Sequence, residues 1–579
     1  MNVYGVNYSF SNLPSGYQAS LTGISDDNKV ILVSVHITPN SEELPQPVTL
    51  SFHTPAVNVL TAFEPVIGQY RLTRSVRPGW NPVKFHSRLS GGYPLLQLIG
   101  HDENNALTFS VADVKTPITV SCGILEDTAE VEINVTFFSM SPGLLSAYET
   151  QIRLDFRPLP YGEALQDAEA YLLNVNGLIP CHIPDNAKLP MYSSWYAFHQ
   201  QIHTDELLRE CEIAKGMGMD TILIDDGWQT EDNGKGYAYC GVWEVYTKKI
   251  NNVRDLVSGI HGKGMKVVFW FSVPFVGKHS KAWTRFEGML LNYSEDVKMI
   301  DPRYPEARTF LIEKYVEAVR DWGLDGLKLD FIDCFRLTEK DKISYPKMDS
   351  VNLFDGVEKL LTSTRDALQK INPEVLLEFR QAYVGPYMQT CGNMFRVGDC
   401  PDDALTNRIA STDMRLTMKN AAIHSDMLMW HKTEPVEMAA RQLLNAFFAV
   451  PQISVRLSDL SGQHEKMLRY YLSLWRKTEN LLSSGTFSAE GVDGSYTCAS
   501  AENDTEIFTV GYGKNLLILK EGKKATWVNS TKDSYLYVDI SRETRVSVFD
   551  CMGNLTEDSR LPGGIHKITV PLSGLAEFA

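Results

Sequence analysis

The 579-residue chain lacks any apolar run long enough to cross a bilayer as a helix, which excludes a helical membrane span. Its N-terminus, Met1-Asn2-Val3-Tyr4-Gly5, has no basic stretch leading into an apolar core, so no signal peptide is expected. Cations are outnumbered: 55 Lys and Arg face 71 Asp and Glu, leaving a net charge of −16. That balance argues against nucleic acid or an anionic membrane as a partner. The nine cysteines are scattered without paired spacing, which predicts reduced thiols and a cytoplasmic setting. There is no His-x-His, no His-Glu-x-x-His and no compact acidic cluster with calcium spacing, so neither a metal nor a cofactor is predicted. Low-complexity segments and short repeats are missing too.

What is present is an ordinary globular composition, 44% hydrophobic and 22% charged, on a chain long enough for several domains. Residues 1–180 read as β. Short runs such as Lys29–Thr38, Val48–His53, Tyr70–Ser75, Leu107–Val111 and Val131–Phe138 are separated by Gly, Pro, Asn and Asp, as in a large sandwich. Over 181–484, strand-like runs alternate with helical ones, giving eight strands and seven clear helices. Eight β-α repeats favour a (β/α)8 barrel over an open doubly wound sheet. No Gly-x-Gly-x-x-Gly follows the first of these strands, which weakens a dinucleotide-binding alternative. From 485 to 579 β character returns in a smaller sandwich. The expected fold is therefore a multidomain α/β plus β chain: a central TIM barrel flanked by an N-terminal and a small C-terminal β-sandwich.

In a barrel, chemistry sits at the C-terminal ends of the strands. Those ends carry Trp195-Tyr196, Asp225-Asp226-Gly227-Trp228, Trp270, Lys328 and Asp330, Glu378 and Arg380, Arg396 and Asp399, His424 and Asp426, and Arg456 with Asp459. Each has a bland reading: paired Asp as loop solvation and helix cap, Trp as core, Arg as structural ion pair, His424 as a satisfied core histidine. Together, acids and aromatics on one rim suit glycoside hydrolysis, in which two carboxyl groups flank an oxocarbenium-like transition state. Asp330 and Asp399 are the pair best placed for it. Lys328, two residues before Asp330 on the same strand, can help keep Asp330 ionised. The proton donor needs a raised pKa, which the like charge of Asp330 could supply. The 25 Tyr, 25 Phe and 10 Trp also suit sugar rings, although most are expected in the core.

Over roughly 185–480 the motifs resemble glycoside hydrolase family 36, the melibiase-type α-galactosidases, which share a clan with family 27. Lys328-Leu329-Asp330 resembles the family's Lys-x-Asp nucleophile strand, and Asp225-Asp226-Gly227-Trp228 its sugar-binding Asp-Asp-Gly-Trp. Gly241-Val242-Trp243, Gly264-Met265-Lys266 with Trp270, and Gly398-Asp399-Cys400-Pro401-Asp402 resemble further family segments, as does His424-Ser425-Asp426-Met427-Leu428. The resemblance implies a retaining exo-acting α-galactosidase with Asp330 as nucleophile and Asp399 as acid/base, the latter preferred over Asp402. It implies that Asp225 and Asp226 accept hydrogen bonds from O4 and O6, that Lys328 holds O3 or O4, and that Trp195, Trp228 and Trp270 shape the walls. An α-galactoside or oligosaccharide is the implied partner, and a homo-oligomer is expected by analogy alone.

The chain departs from the family at Leu377–Pro386, where many members carry a Cys-Ser-Gly-Gly-Gly-Arg-type run beside the sugar's C2. Arg380 could replace a lost contact there, and Arg396 is a further candidate at the rim. Gly398 stands in place of Ser, and Ser425 in place of Pro. The identity of the C2 substituent therefore stays open. An α-N-acetylgalactosaminidase, a raffinose-synthase-like transglycosidase and a carbohydrate-binding protein with a decayed site remain alternatives.

Overall fold

The computed structural model describes residues 1–65, 74–341 and 345–579. Eight parallel strands form the central sheet: β1 (Met191–Ser193), β2 (Thr221–Ile224), β3 (Lys266–Ser272), β4 (Gly326–Asp330), β5 (Leu376–Arg380), β6 (Met394–Arg396), β7 (Ala422–His424) and β8 (Gln452–Ile453). Neighbours in sequence are neighbours in space, and β8 returns to pair with β1. Parallel bridges His424–Val450 and Leu428–Ile453 bring β7 against the same segment, so the sheet closes into a barrel. Seven long helices alternate with the strands, from Thr204–Gly216 to Gly462–Ser484. Their starts follow from capping chemistry. Asn352 accepts from the Phe354 N–H at 2.8 Å, Asp403 accepts from Thr406 at 3.0 Å, and Pro305 opens its helix.

The N-terminal segment forms two six-stranded antiparallel sheets whose inner faces interlock, with Phe52 of one against Phe109 of the other at 5.5 Å. The expected run Tyr70–Ser75 lies mostly outside the described residues. The segment is not all β, because Tyr161–Val175 is a helix. Its Ala164, Leu165, Ala168 and Leu172 are buried at helical spacing, a stripe the reading of 1–180 as β passed over. At the C-terminus a seven-stranded sheet packs on a three-stranded one through Trp527, Val546, Leu536 and Val538. No helix of the described residues is long and apolar enough to cross a membrane.

Two contacts between segments bear on the site. The Gly92 N–H of the N-terminal sandwich donates to the Ala382 carbonyl at 2.8 Å, and Arg88 donates to the Asp333 carbonyl at 2.5 Å. The sandwich thereby braces the loops that follow β4 and β5. Farther away, Arg74, Asp413 and the Tyr496 hydroxyl form one buried cluster joining all three parts of the chain.

Candidate active site

Side chains two residues apart on a strand face the same way, so each barrel strand lays down inward layers at i, i+2 and i+4. The bottom layer is apolar: Met191, Leu223, Val268, Leu376, Met394 and Ala422 form one buried cluster over Ala187. Two residues on, the same strands present Asp225, Trp270, Glu378, Arg396 and His424, with Lys328 of β4 paired in register with both Trp270 and Glu378. Two further on stand Asp330 on β4 and Arg380 on β5. The barrel interior thus changes from hydrocarbon to charge within one strand length.

Asp330 is only 5% exposed and is held by four donors. Its Oδ1 accepts from Arg380 Nε at 2.8 Å, the Tyr383 hydroxyl at 2.7 Å and the Phe331 N–H at 2.7 Å. Among the described residues, Oδ2 accepts from Trp270 Nε1 alone, at 2.8 Å. Phe331 can supply its N–H because it turns left-handed (φ 64) directly after the strand, a conformation that non-glycine residues adopt at a cost. Burial by itself would raise this carboxyl's pKa. The charge of Arg380, then that of Lys328, with the bonds from Trp270 and Tyr383, more than offset it and hold Asp330 ionised well below the usual carboxylate range.

Lys328 donates to Asp225 Oδ2 at 2.6 Å, and both are buried. Asp226 lies beyond the strand end and accepts from Gln229 at 2.6 Å and Gln200 at 2.7 Å. Burial pushes its carboxyl up to about 7, against the pull of those two amides. Gly227 of the same motif has φ 130, and a Cβ there would lie 2.6 Å from the Gln200 backbone. The glycine is what lets Gln200 reach Asp226.

Arg396, fully buried, is the second hub. It bonds Asp399 at 2.8 Å and also Asp426, and lies 3.8 Å from Glu378. Asp426 is also bound by the Tyr196 hydroxyl at 3.0 Å and the Cys400 N–H at 2.6 Å. Asp399 is different: its side chain is 48% exposed and faces the opening. Partial burial and the Asp330 charge push its pKa up, but Arg396, then Arg380 and Lys328, pull it further down. Asp426 goes the other way: burial raises it, and the neighbouring Asp399 charge adds to that against Arg396. One guanidinium therefore separates two carboxyls, leaving Asp399 ionised and Asp426 holding its proton more tightly. The expectation of a raised Asp399 pKa is corrected here, because three cations outweigh one like charge.

The structure brings Asp225, Lys328, Trp270, Asp330, Arg380, Arg396 and Asp399 together. It does not place every expected residue at the opening. Trp228 is 0% exposed, packs among Trp243, Phe269, Phe271 and Trp322, and donates to the Trp270 carbonyl, so it supports a wall rather than forming one. Trp195 is half-buried on the short helix after β1, edge-on to His199. Asp402 is exposed and occupied by Gln442 at 2.8 Å, outside the Arg396 network. His424 is the satisfied core histidine: it contacts the Ala187 carbonyl, and burial lowers its pKa to about 4. Tyr383, Gln200 and Gln229 join the site beyond the expected residues, and Tyr196, expected only as a strand-end residue, binds Asp426. Tyr383 carries a signal in the sequence, because it lies in the segment that departs from the family. Among the described residues, no cluster of His, Cys, Asp and Glu could hold a metal ion.

No family model matches the chain. The bifunctional alpha-galactosidase/sucrose kinase AgaSK of Mediterraneibacter gnavus is 20% identical over 312 residues, 51% of this chain and 32% of that protein. Alpha-galactosidase Mel36A of Lactobacillus acidophilus is 22% identical over 265 residues, 41% of this chain and 34% of that protein. The chain thus aligns with about a third of the length of these curated relatives. Among solved structures, the galactosidase domain of AgaSK superposes with a TM-score of 0.66 at 14% identity, covering 97% of this chain and 80% of that one. The family 36 alpha-galactosidase AgaA of Geobacillus stearothermophilus gives 0.65 at 13% identity, covering 97% of this chain and 81% of that one. The chain shares their fold. At these identities it resembles family 36 as a divergent relative, with the same order of sandwich, barrel and C-terminal β-sheet.

Proposed function

We propose that this protein is a retaining, exo-acting glycoside hydrolase that removes terminal α-galactosyl residues. The observation that carries the reading is the asymmetric environment of Asp330, together with a second carboxylate, Asp399, at the opening. Three donors occupy Oδ1 and one occupies Oδ2, so Oδ2 is the oxygen with lone-pair density to spare for an anomeric carbon. Oδ1 then becomes the carbonyl oxygen of the glycosyl-enzyme, still held by Arg380, Tyr383 and the Phe331 N–H. Asp225, Asp226 and Lys328 offer acceptors and a donor to a polyhydroxylated ring, and Trp270, as buried as Trp228, acts on the site through its Nε1–H on Asp330.

Asp399 would protonate the leaving oxygen and then activate water. Its lowered pKa favours the second task in the resting protein. Esterification of Asp330 removes a like charge that raises Asp399, which favours the base form further. The first step is then the one that gains from acid pH. The relatives support the choice of sugar: a double variant of AgaA has been crystallised with raffinose, and TtGalA of Thermus thermophilus, which superposes at a TM-score of 0.55, with p-nitrophenyl α-D-galactopyranoside.

The test is a panel of aryl α-glycosides (galactose, N-acetylgalactosamine, glucose, arabinose) with anomeric analysis of the product. Turnover of the galactoside with retention is expected. Preference for another sugar, or an inverted product, overturns the corresponding part of the reading. In Asp399→Ala, added azide should restore turnover and give the α-galactosyl azide; a β product would remove Asp399 and Asp330 from a double-displacement scheme.

A further inference from the structure

The barrel has a second concave site, at the end opposite Asp330. A cavity of about 690 Å3 opens below β7, between the segment 180–188, the helix Ala404–Thr417 and the end of the helix Gly462–Ser484. That size is ordinary for a small-molecule pocket. Its walls include Phe448, Trp475 and Phe487, and its charged lining is Lys188, Arg415 and Lys419. No carboxylate is among the described residues that line it, in a chain whose net charge is −16.

Arg415 is the inner cation. Its guanidinium lies 5.2 Å from the centre of the Phe487 ring and donates to two neutral acceptors, the carbonyls of Leu482 at 2.7 Å and Ser483 at 3.4 Å. Nε is buried with no partner. A guanidinium carries five N–H donors and a full charge, so two carbonyls leave both donors and charge uncompensated. Burial, acting alone, pushes its pKa down to about 10, the sign expected of a cation without a counter-charge. Of the two lysines, Lys188 has, among the described residues, only the fully exposed Asp185 at 3.8 Å. The Lys419 side chain forms no ion pair among the described residues, although its charge acts on the buried Glu169 carboxyl, which also accepts from the Lys419 backbone N–H.

We propose that this cavity binds a small organic phosphate, the phosphate on Arg415, Lys188 and Lys419 and the organic group against the apolar wall at Pro180 and Ile183. A planar guanidinium pairs with phosphate through parallel N–H bonds, and two flexible ammonium groups at the mouth complete the neutralisation. The apolar side of the cavity, with Pro180, Ile183 and Ala421 beside the cations, favours an organic ligand over a bare ion. The site is separate from the galactoside chemistry and stands whether or not that reading holds.

The experiment is calorimetric titration of the whole chain with AMP, inorganic phosphate and adenosine, with galactose present to occupy the barrel rim. AMP is expected to bind with a Kd below about 1 mM, phosphate more weakly, and adenosine not measurably. The double variant Lys188→Ser/Lys419→Ser removes only side chains at the mouth of this cavity, so it should stay folded and turn over substrate as before while losing about tenfold or more in AMP affinity. Arg415→Gln should abolish binding, but it also releases the carbonyls at a helix end, so the lysine pair is the deciding variant. No saturable heat with AMP or phosphate up to about 10 mM overturns the proposal. Unchanged affinity in the double variant, or equal binding of adenosine, does so too.

Discussion

The two ends of this barrel are built from the same strands and obey opposite rules. At the bottom, Leu223, Val268, Leu376 and Met394 meet only other hydrocarbon, and the cations nearby line a cavity without a carboxylate. Two to four residues along, at the top, the buried charges have opposite charges or several donors: Asp330 has Arg380, Asp225 has Lys328, and Asp426 and Asp399 share Arg396. The bottom gains from removing apolar surface from water, which is non-directional and tolerant of exchange. The top gains from geometry, because a buried ion is stable only when its partners are in place. The difference teaches where substitutions should damage folding and where they should damage chemistry.

The largest expected effect separates the two ends. Asp330→Asn keeps the size and most of the donors' contacts but removes the charge and the attacking oxygen. It should retain the fold and lose roughly a thousandfold or more in turnover of an aryl α-galactoside. Leu223→Ala, on the strand that carries Asp225, should do the reverse. It should cost about 2–5 kcal/mol of stability, read as a lower unfolding midpoint, while the pH profile of the surviving enzyme stays unchanged. Near-wild-type turnover in Asp330→Asn would remove the nucleophile assignment. A changed pH profile in Leu223→Ala would show that the two ends are coupled.

A smaller effect tests the cation that holds Asp330. Arg380 is the strongest influence lowering that carboxyl, so Arg380→Met should raise its pKa. The nucleophile works only when ionised, so activity is lost as pH falls through this pKa. In the wild type that acid limb lies below the ordinary carboxylate range; in Arg380→Met it should move to higher pH, with kcat reduced roughly ten- to a hundredfold. Tyr383→Phe removes one neutral donor and should move the limb the same way by less. An acid limb that stays in place in both variants would show that Arg380 and Tyr383 hold the loop but do not tune the carboxylate.

Much of this contrast was legible in the sequence. Eight apolar runs ending in polar residues, with helices of 3.6 periodicity between them, announce a barrel and its rim, and β4 shows Asp330 and Lys328 on one face through their spacing of two. What was not legible has physical causes. Trp228 reads as a wall because its motif sits at a strand end, yet the left-handed turn at Gly227 sends the chain away and tucks the indole into the core. Tyr383, Gln200 and Gln229 reach the site from loops, whose paths periodicity does not specify. The sign of the Asp399 shift depends on three cations from three strands, Arg396, Arg380 and Lys328, whose convergence no local pattern reveals. The helix Tyr161–Val175 was missed because it stands alone after a long run of strands.

The smallest effect concerns how Arg396 divides its charge. Asp426 and Asp399 compete for one guanidinium, and the more of it Asp426 takes, the less remains to hold Asp399 ionised. Asp426→Asn ends that competition and also removes a nearby like charge, and both changes lower the pKa of Asp399. Protonated Asp399 is needed for the first step, so activity falls as pH rises through its pKa. The alkaline limb of kcat/KM for an unactivated galactoside should therefore move to lower pH in Asp426→Asn, by roughly half a unit to one unit. A substrate with a good leaving group needs less protonation and should show a smaller change at the same pH. The comparison of the two substrates is the informative part. If Asp426 only braces the loop at Cys400, both should lose activity by the same factor at every pH, and the alkaline limb should not move.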